Sequence, residues 1–356
     1  MCETGAVAIL RLTQEQRLLI IGLAIIAGIL RDRLSTPQTH LSHMEGADIM
    51  TLQKIAFLGL GKMGFPMARR LVSAGFPVVG FDPSSHAAKE FAAVGGKAES
   101  TVSAAILDAD CIITVLPNGK VVQDALFNET NPLDGARDAA LLIEMSSSAP
   151  GDTRTLNSRL TRGMRLVDAP VSGGVKRAVE GTLAIMVGGD AVDIDQAQPL
   201  FAAMSIKVFR CGPVGAGHAM KAINNFVSGA GTIAAIEAVQ LGEAFGLDPE
   251  NMIDVLNASS GRNNATEVKM KQFILSGTFG SGFALGLMAK DIRIAAQLSL
   301  ELGLDQPQLR QTAEVWDAAV AKLGGDVDHT RIAEYLKRQS RTDSADGGLE
   351  QGKSKK

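Results

Sequence analysis

The stretch Ala56–Gly75, AFLGLGKMGFPMARRLVSAG, constrains the fold more than any other part of this chain. An apolar run from Lys54 to Leu60 reads as a buried strand, and Met67, Ala68, Leu71 and Val72 recur at helical spacing after it. Between them lie Gly59, Gly61 and Gly64, spaced G-x-G-x-x-G. In that setting Gly59 permits a tight turn, Gly61 lets backbone approach a pyrophosphate, and Gly64 lets helix and strand pack closely, with the helix amino end facing the anion. Leu60 and Met63 of the same loop are counted with the three glycines as cofactor-binding. Asp82 follows the next apolar run, PVVGF, about twenty positions on, where a carboxylate can accept both hydroxyls of an adenosine ribose and repel a 2′-phosphate. No arginine follows it, so the expected cofactor is NAD, with NADP as the lesser choice. The bland alternative for Asp82 is the start of a turn before Pro83.

The pattern of strand, turn and helix then repeats. Apolar runs at Cys111–Leu116, Ala140–Met145, RLVDAP, TLAIMVGG and near Ile206–Arg210 read as further strands. Alternation of this kind implies a mostly parallel, doubly wound sheet covered on both faces, a Rossmann dinucleotide-binding domain. After Cys211 the strands stop. From Val214 to about Phe245 runs one long helical stretch, apolar on most faces and therefore expected to be buried all round, with helices near Pro249–Ala258, Glu267–Leu275, Leu285–Leu302 and Gln308–Leu323 behind it. The expected organisation is an extension over 1–50, an α/β Rossmann domain over 51–212, an all-α substrate and dimerisation domain over 213–337 and a polar, disordered tail over 338–356.

Composition narrows the function classes. A chain of 356 residues with a net charge of −3 has no basic excess with which to neutralise phosphates, which argues against nucleic acid as partner. Three scattered cysteines, Cys2, Cys111 and Cys211, give neither a disulfide framework nor a zinc-ligand spacing, so no metal and a reducing, cytoplasmic setting are expected. Leu18–Leu30 is thirteen uncharged residues between Arg17 and Arg31, short of the roughly 18–20 that span a bilayer. It reads as part of an upstream-start or non-native extension, as a targeting or weak anchoring segment, or as an extra helix.

FLGLGKMGFPMARRL, VLPN at Val115–Asn118, DAPVSGG at Asp168–Gly174, GHAMKAINN at Gly217–Asn225 and FALGLMAKD at Phe283–Asp291 together resemble the β-hydroxyacid dehydrogenase (3-hydroxyisobutyrate dehydrogenase) family, in its motif order. The resemblance implies reversible, NAD-dependent oxidation of a 3-hydroxy carboxylate, a small hydroxy acid as substrate, and a homodimer or homotetramer. It places the catalytic acid–base at Lys221, on the long apolar helix, where desolvation would lower an amine's pKa. Asn225, one helical turn on, matches the residue that helps hold substrate and lysine. Ser172, Gly173 and Gly174 match the loop that grips the substrate acid, where a hydroxyl and successive amides suit a carboxylate. Leu116 and Pro117 resemble cofactor-lining residues, Ser147 stands where the family usually has threonine near the nicotinamide, and Lys290 matches a second lysine near the cofactor. Asp291 is read as a salt-bridge partner for it, and His218 as structural or peripheral. The rivals are a dinucleotide-binding protein that kept the fold and lost the chemistry, and an NADP-preferring semialdehyde reductase. Arg262, Asn263 and Asn264 could reach polar groups on a larger acid or sit in a solvated loop.

Overall fold

The computed structural model describes residues 54–129 and 131–342. The Leu18–Leu30 run and the tail beyond Thr342 lie outside them.

Strands β1 (Ile55–Leu58), β2 (Val78–Phe81), β4 (Cys111–Thr114), β5 (Leu141–Glu144) and β6 (Arg165–Asp168) are short, continuous apolar runs, and all five pair in parallel. Their residues alternate between two apolar layers. Ile55, Phe57, Ile113, Ile143 and Val167 face one side, and Ala56, Leu58, Ile112, Leu142 and Leu166 face the other. Burial on both faces is the reason these strands read as unbroken hydrophobic segments. The two-residue β3 (Lys97–Ala98) pairs with β2, and the order β3-β2-β1-β4-β5-β6 means that the chain reverses its direction of travel between β1 and β4. A crevice opens at such a point beyond the carboxyl ends of the strands.

The far edge departs from a purely parallel sheet. β8 (Leu183–Gly188) runs antiparallel to β6 and to the two-residue β7 (Val171–Ser172), and β9 (Ser205–Gly212) adds in parallel to β8. Around the sheet lie α1 (Gly64–Ser73), α2 (Ser85–Ala93), α3 (Val102–Ile106), α4 (Gly119–Leu126), α5 (Pro150–Arg159), α6 (Gly174–Glu180) and α7 (Ala191–Met204). Several start on side-chain caps read easily from sequence: Ser84 accepts from the Ala87 amide, Thr101 from Ala104 and Asn118 from Val121.

The remainder is helical. α8 (Ala216–Phe245) is followed by α9 (Pro249–Ala258), α10 (Asn264–Val268), a wider turn over Met270–Leu275, α11 (Leu285–Glu301), α12 (Pro307–Leu323) and α13 (Ile332–Thr342). Trp316, Ile292, Ile253, Leu285 and Ile332 centre its core. The expectation that the long helix is buried all round is not met. Met220, Ile223, Val227, Ala234, Leu241 and Phe245 of α8 are exposed, Val227 at 63% and Phe245 at 83%. They recur at intervals of three, four and seven residues, which keeps them on one side of the helix, so high overall hydrophobicity here reflects two apolar stripes, of which the fold covers one. Likewise α13 runs on through Thr342, beyond the expected start of the tail at 338.

Candidate active site

The glycine loop has the geometry its spacing implies. Gly59 holds φ at +100°, a conformation costly for other residues, and a Cβ there would lie 2.3 Å from the Val115 carbonyl oxygen. A Cβ on Gly64 would sit 1.9 Å from the Gly59 oxygen, so helix and strand meet there with no room for a side chain. Gly61 differs: no protein atom lies within 4 Å of where its Cβ would be. The fold itself therefore does not require glycine at 61, and a cradle is left open beside it. No partner among the described residues takes the amide hydrogens of Gly61, Lys62 or Met63, at the amino end of α1. A groove of about 480 Å3 opens along the same loop, past Leu60, Lys62 and Phe65 towards Val175 of α6. These features fit a dinucleotide pyrophosphate.

Asp82 leaves β2 half-buried and anchors this loop. Its Oδ2 accepts from the Leu60 amide at 2.7 Å and its Oδ1 from the Ser84 amide at 2.8 Å. Each oxygen keeps a lone pair for a further donor. Leu116, whose side chain meets the turn at Gly59, donates its amide to Ser146 Oγ at 2.9 Å.

The helical part brings a second set of residues to the ends of β4 and β5. Lys290 Nζ donates to the Ser147 carbonyl at 2.6 Å and to the Pro117 carbonyl at 3.3 Å, and lies 3.5 Å from Asp291 Oδ1. Asp291 Oδ2 accepts from Asn225 Nδ2 at 2.6 Å, and Asn225 Oδ1 accepts from Asn224 at 3.1 Å. Lys290, Asn225, Ser147 and Pro117 are thus joined through Asp291, which fills the salt-bridge role expected of it. Lys221, one turn before Asn225 on α8, shares this neighbourhood and makes no hydrogen bond or ion pair among the described residues. Burial pushes its amine below the ordinary lysine value; Asp291 opposes that shift and Lys290 adds to it. The residue is half-buried.

Ser172 lies in β7, not in a free loop, and pairs with Ala184. Gly173 and Gly174 follow with φ of +135° and +68° and lead into α6. The substrate-variable segment is committed locally. Asn263 caps α10, accepting from the Ala265 and Thr266 amides, and Arg262 lies 3.6 Å from Glu267.

One cluster was not assembled by sequence reasoning. Of the two readings of His218, structural or peripheral, the structure bears out the structural one. His218 is fully buried between Glu144 at the end of β5 and Asp168 at the end of β6, with Thr153 of α5 and the Ser146 carbonyl completing its shell. The available signal was that LLIE and RLVD both close an apolar strand on an acid. Among the described residues no helix is long and apolar enough to cross a membrane.

Known proteins resemble this chain over both its α/β and its helical parts. Residues 54–212 match the family profile described as the NAD binding domain of 6-phosphogluconate dehydrogenase. Residues 215–336 match that described as the NAD-binding of NADP-dependent 3-hydroxyisobutyrate dehydrogenase. The chain is 34% identical over 280 residues to 2-(hydroxymethyl)glutarate dehydrogenase of Eubacterium barkeri, covering 78% of this chain and 93% of that protein. It is 37% identical over 253 residues to the NAD-dependent L-serine dehydrogenase of Pseudomonas aeruginosa, covering 69% and 85%. The solved structure of Mycobacterium tuberculosis 3-hydroxyisobutyrate dehydrogenase with L-serine superposes with a TM-score of 0.76 at 36% identity, over 81% of this chain and all of that one.

Proposed function

This chain belongs to the β-hydroxyacid dehydrogenase family, NAD-binding oxidoreductases of 3-hydroxy acids, and from that premise we propose that it oxidises the hydroxymethyl group of a small 3-hydroxy carboxylate to the semialdehyde, or reverses that step, with Lys221 as the general acid–base. The observation that carries the assignment of Lys221 is its setting: an amine without a hydrogen-bond partner among the described residues, desolvated, beside Asn225, Asp291 and Lys290.

NAD, when bound, supplies the hydride acceptor. The amides of Gly61, Lys62 and Met63 would hold its pyrophosphate and Asp82 its adenosine ribose, with Leu60 and Gly59 shaping the turn and Gly64 its packing. Leu116, Pro117 and Ser147 would line it. Lys290 serves that lining from behind, since its ammonium holds the Pro117 and Ser147 carbonyls together. In the oxidation direction the neutral Lys221 amine takes the proton of the substrate hydroxyl as the adjacent C–H bond breaks and the carbonyl forms. In reduction the Lys221 ammonium returns a proton to the developing alkoxide. Asn225, fixed by Asp291, orients the hydroxyl against that amine. The Ser172 hydroxyl and the Gly173 and Gly174 amides take the substrate carboxylate.

3-Hydroxyisobutyrate, 2-(hydroxymethyl)glutarate and L-serine, named among the relatives, each carry a hydroxymethyl on the carbon that bears the acid, and the proposed substrate shares that unit. The exposed apolar face of α8 supports a homodimer or homotetramer that buries it. The two described thiols, Cys111 and Cys211, are unpaired, which supports the cytoplasm as its compartment. A panel of these three acids with NAD and NADP, run beside Lys221→Met, tests the assignment. Turnover equal in the variant and the parent would sink it, as would no turnover of any hydroxymethyl acid.

A further inference from the structure

The register of the sheet sets two acids side by side. Glu144 of β5 pairs with Asp168 of β6, and both carboxylates are fully buried on the face that receives α8. Like charges at paired positions on neighbouring strands repel, and in a buried setting one of them would take up a proton unless a cation intervenes. His218 lies between them. Its Nε2 is 2.9 Å from Glu144 Oε2 and 3.0 Å from the Ser146 carbonyl oxygen. Its Nδ1 is 2.8 Å from Thr153 Oγ1 and 3.4 Å from Asp168 Oδ2.

The partners bear on the ring's protonation state. A carbonyl oxygen only accepts, so Nε2 carries hydrogen. Thr153 Oγ1 lies 2.8 Å from Nδ1 and 3.1 Å from the Ala149 carbonyl oxygen, and with its single hydrogen on that carbonyl it accepts from Nδ1. Two buried carboxylates facing the ring favour that doubly protonated arrangement. The same residues grip the start of the helix. Asp168 accepts from the backbone amides of Gly215 at 2.7 Å and His218 at 2.9 Å, at the positive end of α8. Gly217 brings the helix so close that a Cβ there would lie 2.4 Å from the Met186 oxygen. Glu144 accepts from the Ser146 amide at 2.9 Å, and Ser146 Oγ takes the Leu116 amide.

We propose that His218, held as an imidazolium between Glu144 and Asp168, is the positioning residue of this site: it pins the first turn of α8 to the ends of β5 and β6 and so sets where Lys221, one turn further on, presents its amine. The inference rests on the assignment of Lys221 above. It adds a residue that touches neither substrate nor cofactor and acts through the helix. The other titratable groups at this junction are Lys290 of α11, which senses Glu144, and the neutral thiol of Cys211 in β9, which senses Asp168; α5 contributes the uncharged Thr153 to the ring and sets the Arg154 side chain beside Gly215. The two carboxylates outweigh the cost of burying the ring and hold its pKa above the ordinary histidine value.

The first test is independent of turnover. Nitrogen-15 spectra of the full-length protein, with the His218 signals assigned as those lost in His218→Gln, should show a doubly protonated ring at pH 7. A neutral ring at pH 7 overturns the proposal. The second uses His218→Gln and His218→Gln/Glu144→Gln. Because sub-ångström placement governs proton transfer, the single variant should lose kcat/KM by about 100-fold while its NADH affinity stays within twofold of the parent. Removing the facing charge should restore roughly tenfold of that loss. In the single variant one carboxylate must gain a proton, so its remaining activity should peak at lower pH than the parent's. A single variant within twofold of the parent in kcat/KM, or no recovery in the double variant, overturns the proposal. Should the protein turn over no 3-hydroxy acid, the function fails instead, and the spectra together with a two-variant stability cycle still decide the role of His218.

Discussion

Gly61 and Gly64 stand three residues apart in one loop, yet replacing each by alanine should break different things. At Gly64 the new methyl would lie 1.9 Å from the Gly59 carbonyl oxygen and 3.3 Å from the Phe57 ring. The first obstacle is backbone, so the start of α1 must lift by more than an ångström. Overpacking of this sort costs about 1–3 kcal/mol, which for a protein of this size lowers Tm by roughly 3–10 °C. At Gly61 nothing lies within 4 Å, so Gly61→Ala should leave stability within about 0.5 kcal/mol of the parent. Its effect should fall on the ligand. A methyl in the cradle holds the pyrophosphate off the Gly61–Met63 amides, and two charge-assisted hydrogen bonds at about 1.5 kcal/mol each correspond to a loss of roughly 100-fold in NADH affinity. Thermal melts without cofactor and fluorescence titration with NADH separate the two effects. NADH binding by Gly61→Ala within twofold of the parent would show that the pyrophosphate rests elsewhere. An unchanged melt for Gly64→Ala would refute the packing argument.

Three further outcomes follow from the geometry. Lys221→Met should lower kcat/KM by about 10²–10⁴ with NADH affinity intact, and in the parent the oxidation rate should rise with pH through a midpoint below the ordinary lysine value of about 10.4, because the base must be neutral and burial lowers its pKa; pH–rate profiles of both proteins check this. Asp82→Asn should shift the NAD-to-NADP ratio of kcat/KM towards NADP by roughly tenfold, since a repelling charge leaves the site of a 2′-phosphate, and steady-state kinetics with both cofactors read it directly. Lys269 is 7% exposed, held by Ser228 and Thr232, and burial pulls its ammonium down to about 8. The unfolded chain binds the extra proton between about 8 and 10.4, so the stability contributed here rises with pH over that window. Lys269→Met should therefore stabilise the protein at pH 7 by about 1–3 kcal/mol, with the gain shrinking by pH 10, as urea denaturation at the two pH values would show.

What could be read in the sequence, and what could not, divides along physical lines. The glycine loop, the parallel strands and the Ser84 cap are local: each is set by a few neighbouring residues whose spacing is itself the signal. The short helices α3, α4, α5 and α6 gave no such signal, because five to ten residues carry little periodicity and their caps resemble ordinary turns. The free face of α8 was misjudged for a related reason. Periodicity reports that a face is apolar and is silent on whether this chain or another copy covers it.

The sequence marks two acids at strand ends but, on different grounds, does not assemble the His218 cluster. Glu144, Asp168 and His218 are distant in the chain, and nothing local to any of them calls for the others. Only the sheet register, which pairs Glu144 with Asp168, and the angle at which α8 meets the strand ends turn three unremarkable residues into a buried triad of charge. The same junction explains why Lys221 can be desolvated without collapsing into the core. The first turn of its helix is fixed by ionic contacts to the sheet, and the Asn225–Asp291–Lys290 chain fixes the next turn to the Pro117 and Ser147 carbonyls. An amine held between two such anchors keeps its place whether charged or neutral, as a group must if it is to give and take a proton in every cycle.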